Sequence, residues 1–163
     1  MPWWSGIAPA ASAVNDDAEI TAASPIPVIA DIHFDYRLAI AAIENGVAAV
    51  RLNPGNLDDP DHVRLVAEKA QEHRIPIRVG ANSGSLRPAV VREMAAKGLD
   101  HDEAIAEALV ESALRECALL ENYGMRDLKV ALKSSSVPVT LAAYRKFADR
   151  TDYPLHILSL IHI

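Results

Sequence analysis

The sequence has one cysteine, Cys117, among its 163 residues. A single thiol excludes a disulfide within the chain and any metal cluster held by several thiolates of this chain. Apolar runs are also short, since none approaches the ~20 residues needed to span a bilayer. The N-terminus lacks the basic segment that opens a signal peptide. We therefore expect a cytoplasmic protein without membrane contact.

Positive charge is scarce as well, because 16 Lys and Arg oppose 22 Asp and Glu for a formal net charge of -6. This balance argues against a nucleic-acid partner bound through a general basic surface. Cations that matter for function must therefore act locally. What the sequence does have is a hydrophobic fraction of 50%, which is enough for the packed core of one domain.

Strand and helix patterns alternate from about residue 25 onward. Hydrophobic periodicity and turn residues predict strands over 27–32, 48–52, 76–79 and 128–132, with a fifth beginning at residue 155. Helices are expected over 36–44, 60–73, 88–97, 102–123 and 140–148. Because hairpin signals are absent from these patterns, the simplest fold that accounts for them is α/β with parallel βα repeats. So few units form either an open sheet or part of a longer barrel.

The segment before the first predicted strand differs in composition. Residues 1–24 are rich in Ala, Ser and Pro and show no clear period. Such composition is typical of a poorly ordered leader. We therefore expect the folded domain to begin at about residue 25.

A polar cluster closes each of the four predicted strands. The clusters are Asp31-Ile32-His33, Arg51-Leu52-Asn53, Arg78 to Asn82, and Lys133-Ser134-Ser135. Because side chains two or four residues apart in a strand point to the same face, the polar members of each cluster share a face. The apolar residues between them are free to pack under helices. Carboxyl ends of parallel strands are where such folds place their sites.

Three of these polar residues, Arg51, Arg78 and Lys133, are cations that we expect to converge at the strand ends. Guanidinium groups bind phosphate oxygens in pairs of hydrogen bonds, and lysine adds a point charge. The Gly-rich loop after Arg78 offers backbone N–H groups to an anion. The predicted ligand is a small phosphorylated or diphosphorylated molecule, with Asn53, Asn56 and Asn82 orienting its oxygens. The alternative is that each cation pairs with a surface carboxylate.

Asp31 and His33 have less certain roles. They are an acid/base pair, substrate ligands or a structural hydrogen-bonded pair, and no catalytic residue is assigned. Ser135 joins the predicted binding residues, and His156 could face the same site. Cys117 is expected in the core.

The sequence resembles a known family in the same segments. Val28-Ile29-Ala30-Asp31-Ile32-His33-Phe34-Asp35-Tyr36-Arg37, the run from Arg51 to Asn56, and the run from Ile75 to Leu86 closely resemble 4-hydroxy-3-methylbut-2-en-1-yl diphosphate synthases. Leu132-Lys133-Ser134-Ser135 and Tyr153-Pro154-Leu155-His156 resemble later motifs of that family. The resemblance covers about residues 25–157.

The resemblance implies a TIM-type (β/α) barrel, here about strands 3 to 7 of eight. The family is an iron–sulfur oxidoreductase of the non-mevalonate isoprenoid pathway. It reductively opens 2-C-methyl-D-erythritol 2,4-cyclodiphosphate to the allylic diphosphate. By motif match, the phosphates would be held by Arg51, Arg78 and Lys133, with Asn82 nearby, while Asp31, His33 and Asn53 match other family positions.

The resemblance further implies a [4Fe-4S] cluster in a separate C-terminal domain, held by three cysteines and a glutamate. Flavodoxin or ferredoxin would supply electrons, and the full-length family forms homodimers. By this comparison we expect that the 163 residues do not include that domain, that Cys117 matches no cluster ligand, and that residues 158–163 depart from the family pattern. We expect an inactive fragment that carries no metal ligands of its own. Alternatives are a pterin-binding-synthase-like barrel enzyme and a non-catalytic phosphate-binding module.

Overall fold

The fold is a parallel sheet flanked by helices. The computed structural model describes residues 18–53, 59–86 and 88–157, and the account that follows is confined to them. Four strands form one sheet in the order β1-β2-β3-β4, and each neighbouring pair is parallel. The strands are β1 (Ile29–Asp31), β2 (Ala49–Leu52), β3 (Ile77–Asn82) and β4 (Leu128–Lys133). The predicted α/β class with parallel βα repeats is confirmed.

Helices connect successive strands, as parallel pairing requires. After a first helix, α1, over residues 18–23, come α2 (Tyr36–Glu44), α3 (Pro60–His73), α4 (Pro88–Ala95), α5 (His101–Asn122) and α6 (Val137–Ala148). Asp35, Asp59, Asp100 and Ser136 each accept a hydrogen bond from a backbone N–H of the first turn of α2, α3, α5 and α6, respectively. These caps satisfy donors that a helix start leaves open.

One face of the sheet is packed under the helices. Alternate strand residues on this face are fully buried and belong to the main hydrophobic core: Val50, Leu52, Ile77, Val79, Val130 and Leu132. Their neighbours in sequence point to the other face and include the charged residues Arg51, Arg78, Lys129 and Lys133. Because successive side chains of a strand point to opposite faces, each strand has one apolar face in the core and one polar face.

Several element boundaries differ from the sequence-based expectation. Helix α6 begins at Val137 rather than at residue 140, because the Ser136 side chain accepts from the Val139 N–H and so caps an earlier turn. Strand β3 continues to Asn82, three residues beyond the predicted end, because β4 pairs with it as far as Lys133. The expected fifth strand is a single parallel bridge between Leu155 and Val130.

The N-terminal segment also differs from expectation where it is described. Residues 18–23 are helical rather than poorly ordered, and the Thr21 hydroxyl donates to the Asn45 carbonyl at 2.7 Å, which ties α1 to the end of α2. Residues 1–17 of the expected leader, Asn56 and the tail 158–163 lie outside the described residues.

We predict that Phe147→Ala lowers the free energy of unfolding by about 3–5 kcal/mol. Phe147 belongs to α6 and its side chain is fully buried, so removal of the ring leaves a cavity in the core. Leu141→Ala on the same helix is the matched control, since Leu141 is 48% exposed and should change the free energy of unfolding by no more than about 0.5 kcal/mol. Urea unfolding followed by circular dichroism measures both variants. Equal effects of the two would contradict the assigned core.

Candidate anion-binding site

A row of four charged residues crosses the polar face of the sheet. Asp31 pairs in register with Arg51, Arg51 with Arg78, and Arg78 with Lys129. Register partners in adjacent strands point to the same side of a sheet, so all four side chains share one face. With three cations and one carboxylate, the row carries an excess of positive charge.

Arg51 is held in place by polar contacts at one end of this row. Its Nη1 donates to Asp31 Oδ1 at 2.8 Å and lies 3.3 Å from His33 Nε2. His33 Nε2 also lies 3.5 Å from Asp31 Oδ1, so both residues meet at Arg51. The alternative of carboxylate pairing thus holds for Arg51, and the acid/base role of Asp31 and His33 stays a prediction.

The Arg51 guanidinium lies directly over Gly80 of β3. A Cβ added at Gly80 would be 2.6 Å from Arg51 Nε and 3.0 Å from its Nη2. Real Cβ atoms do not come this close to other heavy atoms, so a side chain at this position would displace the guanidinium. Gly80 is therefore required for the space above it, rather than for an unusual backbone conformation.

Arg78 has a different kind of partner. Its Nη1 lies 3.2 Å from His156 Nδ1, and no carboxylate in the described ranges forms an ion pair with it. Burial lowers the pKa of Arg78, and the like charge of Arg51 lowers it further. The pKa of His156 is also lowered, first by burial and then by the charges of Arg78 and Lys129.

Two donors on this row are unused. The Nε atoms of Arg51 and Arg78 are buried and have no hydrogen-bond partner among the described residues. Buried polar groups without a partner are costly and call for an explanation. Two neighbouring guanidinium groups with unused N–H donors and excess charge are suited to an anion that offers several oxygens.

Lys133 and Asn82 lie further along the same face. They pair in register with each other and stand four residues beyond Lys129 and Arg78, which is about 13 Å along the strand. Between the two levels lie Gly80 and Ala131, which are also register partners. These two contribute at most a methyl group of their own, and the Arg51 guanidinium lies over Gly80 in the space that remains.

The expectation that all three cations stand at strand ends is wrong for Arg78. Arg78 is the second of six residues in β3, whereas Lys133 is the last residue of β4. Arg51 and Arg78 are adjacent because β2 starts two residues before Arg51 and pairs with the beginning of β3. The candidate site therefore extends along the face of the sheet rather than along one rim.

The remaining predicted binding residues occupy the end of the sheet. Asn82 Oδ1 accepts from the Gly84 N–H at 3.2 Å and so caps the short turn Ser83–Ser85. Asn53 is buried directly after β2, and Ser135 is exposed two residues after the end of β4. Whether Asn53, Asn82 and Ser135 contact a ligand stays a prediction.

Lys129 is the residue that sequence reasoning missed. It stands at the start of β4, outside the polar cluster at the strand end, and it lies on the charged row because it pairs with Arg78. The signal was present in the four-residue spacing from Lys133, which places two lysines on one face of a strand.

The described residues do not fit a metal cluster. They contain no group of three His, Cys, Asp or Glu that could hold a metal ion. Cys117 is buried in α5, and burial raises the pKa of its thiol to about 12, so it is not available as a thiolate ligand. Its predicted place in the core is confirmed. Within the described part of the chain, no helix is both long and apolar enough to cross a membrane.

The fold is a βα-barrel-type domain whose polar face carries an excess of positive charge. The model of the GcpE TIM-barrel domain matches residues 7–158. Because this match covers most of the chain, the protein belongs to the GcpE TIM-barrel domain family. The match begins at residue 7, within the segment that we expected to be a poorly ordered leader.

Curated relatives are consistent with this family assignment. A protein of Desulfotalea psychrophila is 48% identical over 134 residues, 82% of this chain and 36% of its own length. A protein of Clostridium acetobutylicum is 44% identical, over 89% of this chain and 40% of its own length. Both are named 4-hydroxy-3-methylbut-2-en-1-yl diphosphate synthase (flavodoxin). The chain thus spans about two fifths of the length of these relatives.

A solved dihydropteroate synthase from Xanthomonas albilineans aligns with a TM-score of 0.38 at 14% identity, covering 88% of this chain and 65% of that chain. This likeness is too low to support a functional assignment.

We predict that Gly80→Ala weakens binding of inorganic diphosphate about tenfold, because the new methyl group displaces the Arg51 guanidinium. Gly84→Ala is the matched control, since a Cβ there would meet only Asn82 Oδ1 at 3.7 Å, an ordinary contact. Isothermal titration calorimetry measures both affinities. Equal affinity of Gly80→Ala and the unmodified chain would place the anion away from Arg51.

Proposed function

We propose that this chain is the substrate-binding barrel portion of a 4-hydroxy-3-methylbut-2-en-1-yl diphosphate synthase. Its ligand would be 2-C-methyl-D-erythritol 2,4-cyclodiphosphate, whose eight-membered ring carries two linked phosphates. The observation that supports this most directly is the adjacent pair Arg51 and Arg78, each with a buried Nε–H that lacks a partner among the described residues. The names of the curated relatives supply the reaction class.

The polar face offers a division of tasks for such a ligand. Arg51 and Arg78 would each donate to phosphate oxygens, and the charge of Lys129 would add to theirs. Lys133 stands four residues beyond Lys129 on the same face of β4, where it would bind a second group of the cyclic substrate. Asp31 and His33 keep Arg51 oriented, so the ligand need not order that side chain when it binds.

The complete reaction would take place in a longer protein of which this chain is a part. Ring opening with loss of water consumes two electrons and two protons, and a [4Fe-4S] cluster would supply the electrons. The described residues contain no group that could hold a metal ion, and the sequence has a single cysteine. The cluster would therefore be held by residues outside this chain. The names of the relatives support flavodoxin as the electron donor, and the family resemblance adds ferredoxin as a second candidate. We further propose a cytoplasmic homodimer.

We predict that Arg78→Ala weakens binding of the cyclic diphosphate by about 1.5–3 kcal/mol, the range for hydrogen bonds to charged groups. Arg115→Ala is the control, because Arg115 is an exposed residue of helix α5, pairs with Glu93 and is not part of the charged row. Calorimetry with the cyclic diphosphate measures both. If Arg78→Ala binds as tightly as the unmodified chain, Arg78 is not in the site.

A second experiment tests the reaction itself. In the longer protein that carries this chain, we expect anaerobic conversion of the cyclic diphosphate to require bound iron and an electron donor. Activity that persists after iron is removed would refute the assignment and favour a cluster-free barrel enzyme. Binding without turnover in the iron-loaded protein would instead identify a non-catalytic phosphate-binding module.

A further inference from the structure

The hydrogen-bond ladder beside β4 is interrupted by a side chain. Two regular rungs join β4 to the chain around Leu155, from Val130 N–H to the Pro154 carbonyl at 2.9 Å and from His156 N–H to the Val130 carbonyl at 2.8 Å. In a parallel ladder the next rung would run from Leu132 N–H to the His156 carbonyl. The Tyr144 hydroxyl occupies that place.

Tyr144 belongs to α6 and its side chain is buried. Its hydroxyl accepts from Leu132 N–H at 3.0 Å and donates to the His156 carbonyl at 2.6 Å. One oxygen thus satisfies two backbone groups and links the helix layer to the edge of the sheet. The position of the backbone at residue 156 is therefore set by α6 as well as by β4.

This arrangement places the His156 side chain on the charged face. Leu155 pairs with Val130, whose side chain is in the core, so the next residue points to the opposite side. There His156 Nδ1 lies 3.2 Å from Arg78 Nη1. Arginine has no acceptor, so Nδ1 must accept and the ring must be neutral with its proton on Nε2.

We propose that Tyr144 and His156 are positioning residues that orient Arg78 for the diphosphate. This inference rests on the proposed function, because it takes Arg78 to be a phosphate ligand. The physical advantage is that a neutral imidazole fixes the guanidinium without cancelling its charge, whereas a carboxylate would compete with the ligand. Arg51, by contrast, shares its Nη1 with Asp31.

The first test compares three variants by calorimetry with inorganic diphosphate. His156→Ala should weaken binding about tenfold, because Arg78 loses the acceptor that orients it. His156→Asn should bind within about threefold of the unmodified chain, since its Oδ1 stands two bonds from Cβ, as Nδ1 does. Tyr144→Phe keeps the imidazole but removes the hydroxyl that fixes the backbone at residue 156, so it should also weaken binding. Tyr36→Phe on α2 is its control.

Two results would overturn the inference. If His156→Ala binds as tightly as the unmodified chain, His156 does not position Arg78. If His156→Asn binds diphosphate as weakly as His156→Ala, a hydrogen-bond acceptor at residue 156 does not orient Arg78. Circular dichroism and urea unfolding of each variant show whether the fold is intact, so that weaker binding can be attributed to the orientation of Arg78.

The second test does not depend on ligand binding. Long-range proton–nitrogen correlation spectra of the full chain should show His156 as the neutral Nε2–H tautomer at pH 7.5. A protonated ring or the Nδ1–H tautomer would exclude the contact with Arg78 and overturn the proposal. If the tautomer is as expected but the unmodified chain binds no diphosphate, the proposed function fails while the Arg78–His156 contact stands.

Discussion

The adjacency of two guanidinium groups on one face of the sheet is the constraint on which the candidate site depends. Like charges on neighbouring strands repel each other, and the repulsion is stronger where water is partly excluded. The β2–β3 register places Arg51 beside Arg78 regardless of that cost, and the lowered pKa of Arg78 reflects both burial and its neighbour. One carboxylate, Asp31, offsets only part of the charge, so an anion would complete the row.

The two faces of the sheet differ in chemistry, since one packs into the hydrophobic core and the other is charged. Buried aliphatic side chains under the helices hold the strands in register, and the register in turn aligns the charged row. Arg51 is held by a carboxylate and Arg78 by an imidazole, so neighbouring cations differ in how much of their charge is left for a ligand. Gly80 leaves room for the Arg51 guanidinium above it, and Ala131 adds only a methyl group to this face.

Much of the architecture follows from local sequence patterns. Helix α2 over Tyr36–Glu44 and helix α3 over Pro60–His73 begin and end where caps and periodicity place them. The boundary of β3 was less accessible, because the segment after Val79 reads as a glycine-rich loop and becomes a strand only through pairing with β4. Tertiary pairing overrides local preference in such cases.

By itself, the sequence determined the alternation of strands and helices, the polar face of each strand and the family, because these depend on residues close together in the chain. Only the tertiary structure decided which cations are neighbours. Lys129 joins Arg78 through strand register, and His156 reaches Arg78 across 78 residues. The Tyr144 hydroxyl takes the place of a ladder bond only because α6 packs against the sheet edge. Contacts of this kind depend on how separate elements dock, which spacing along one strand does not encode.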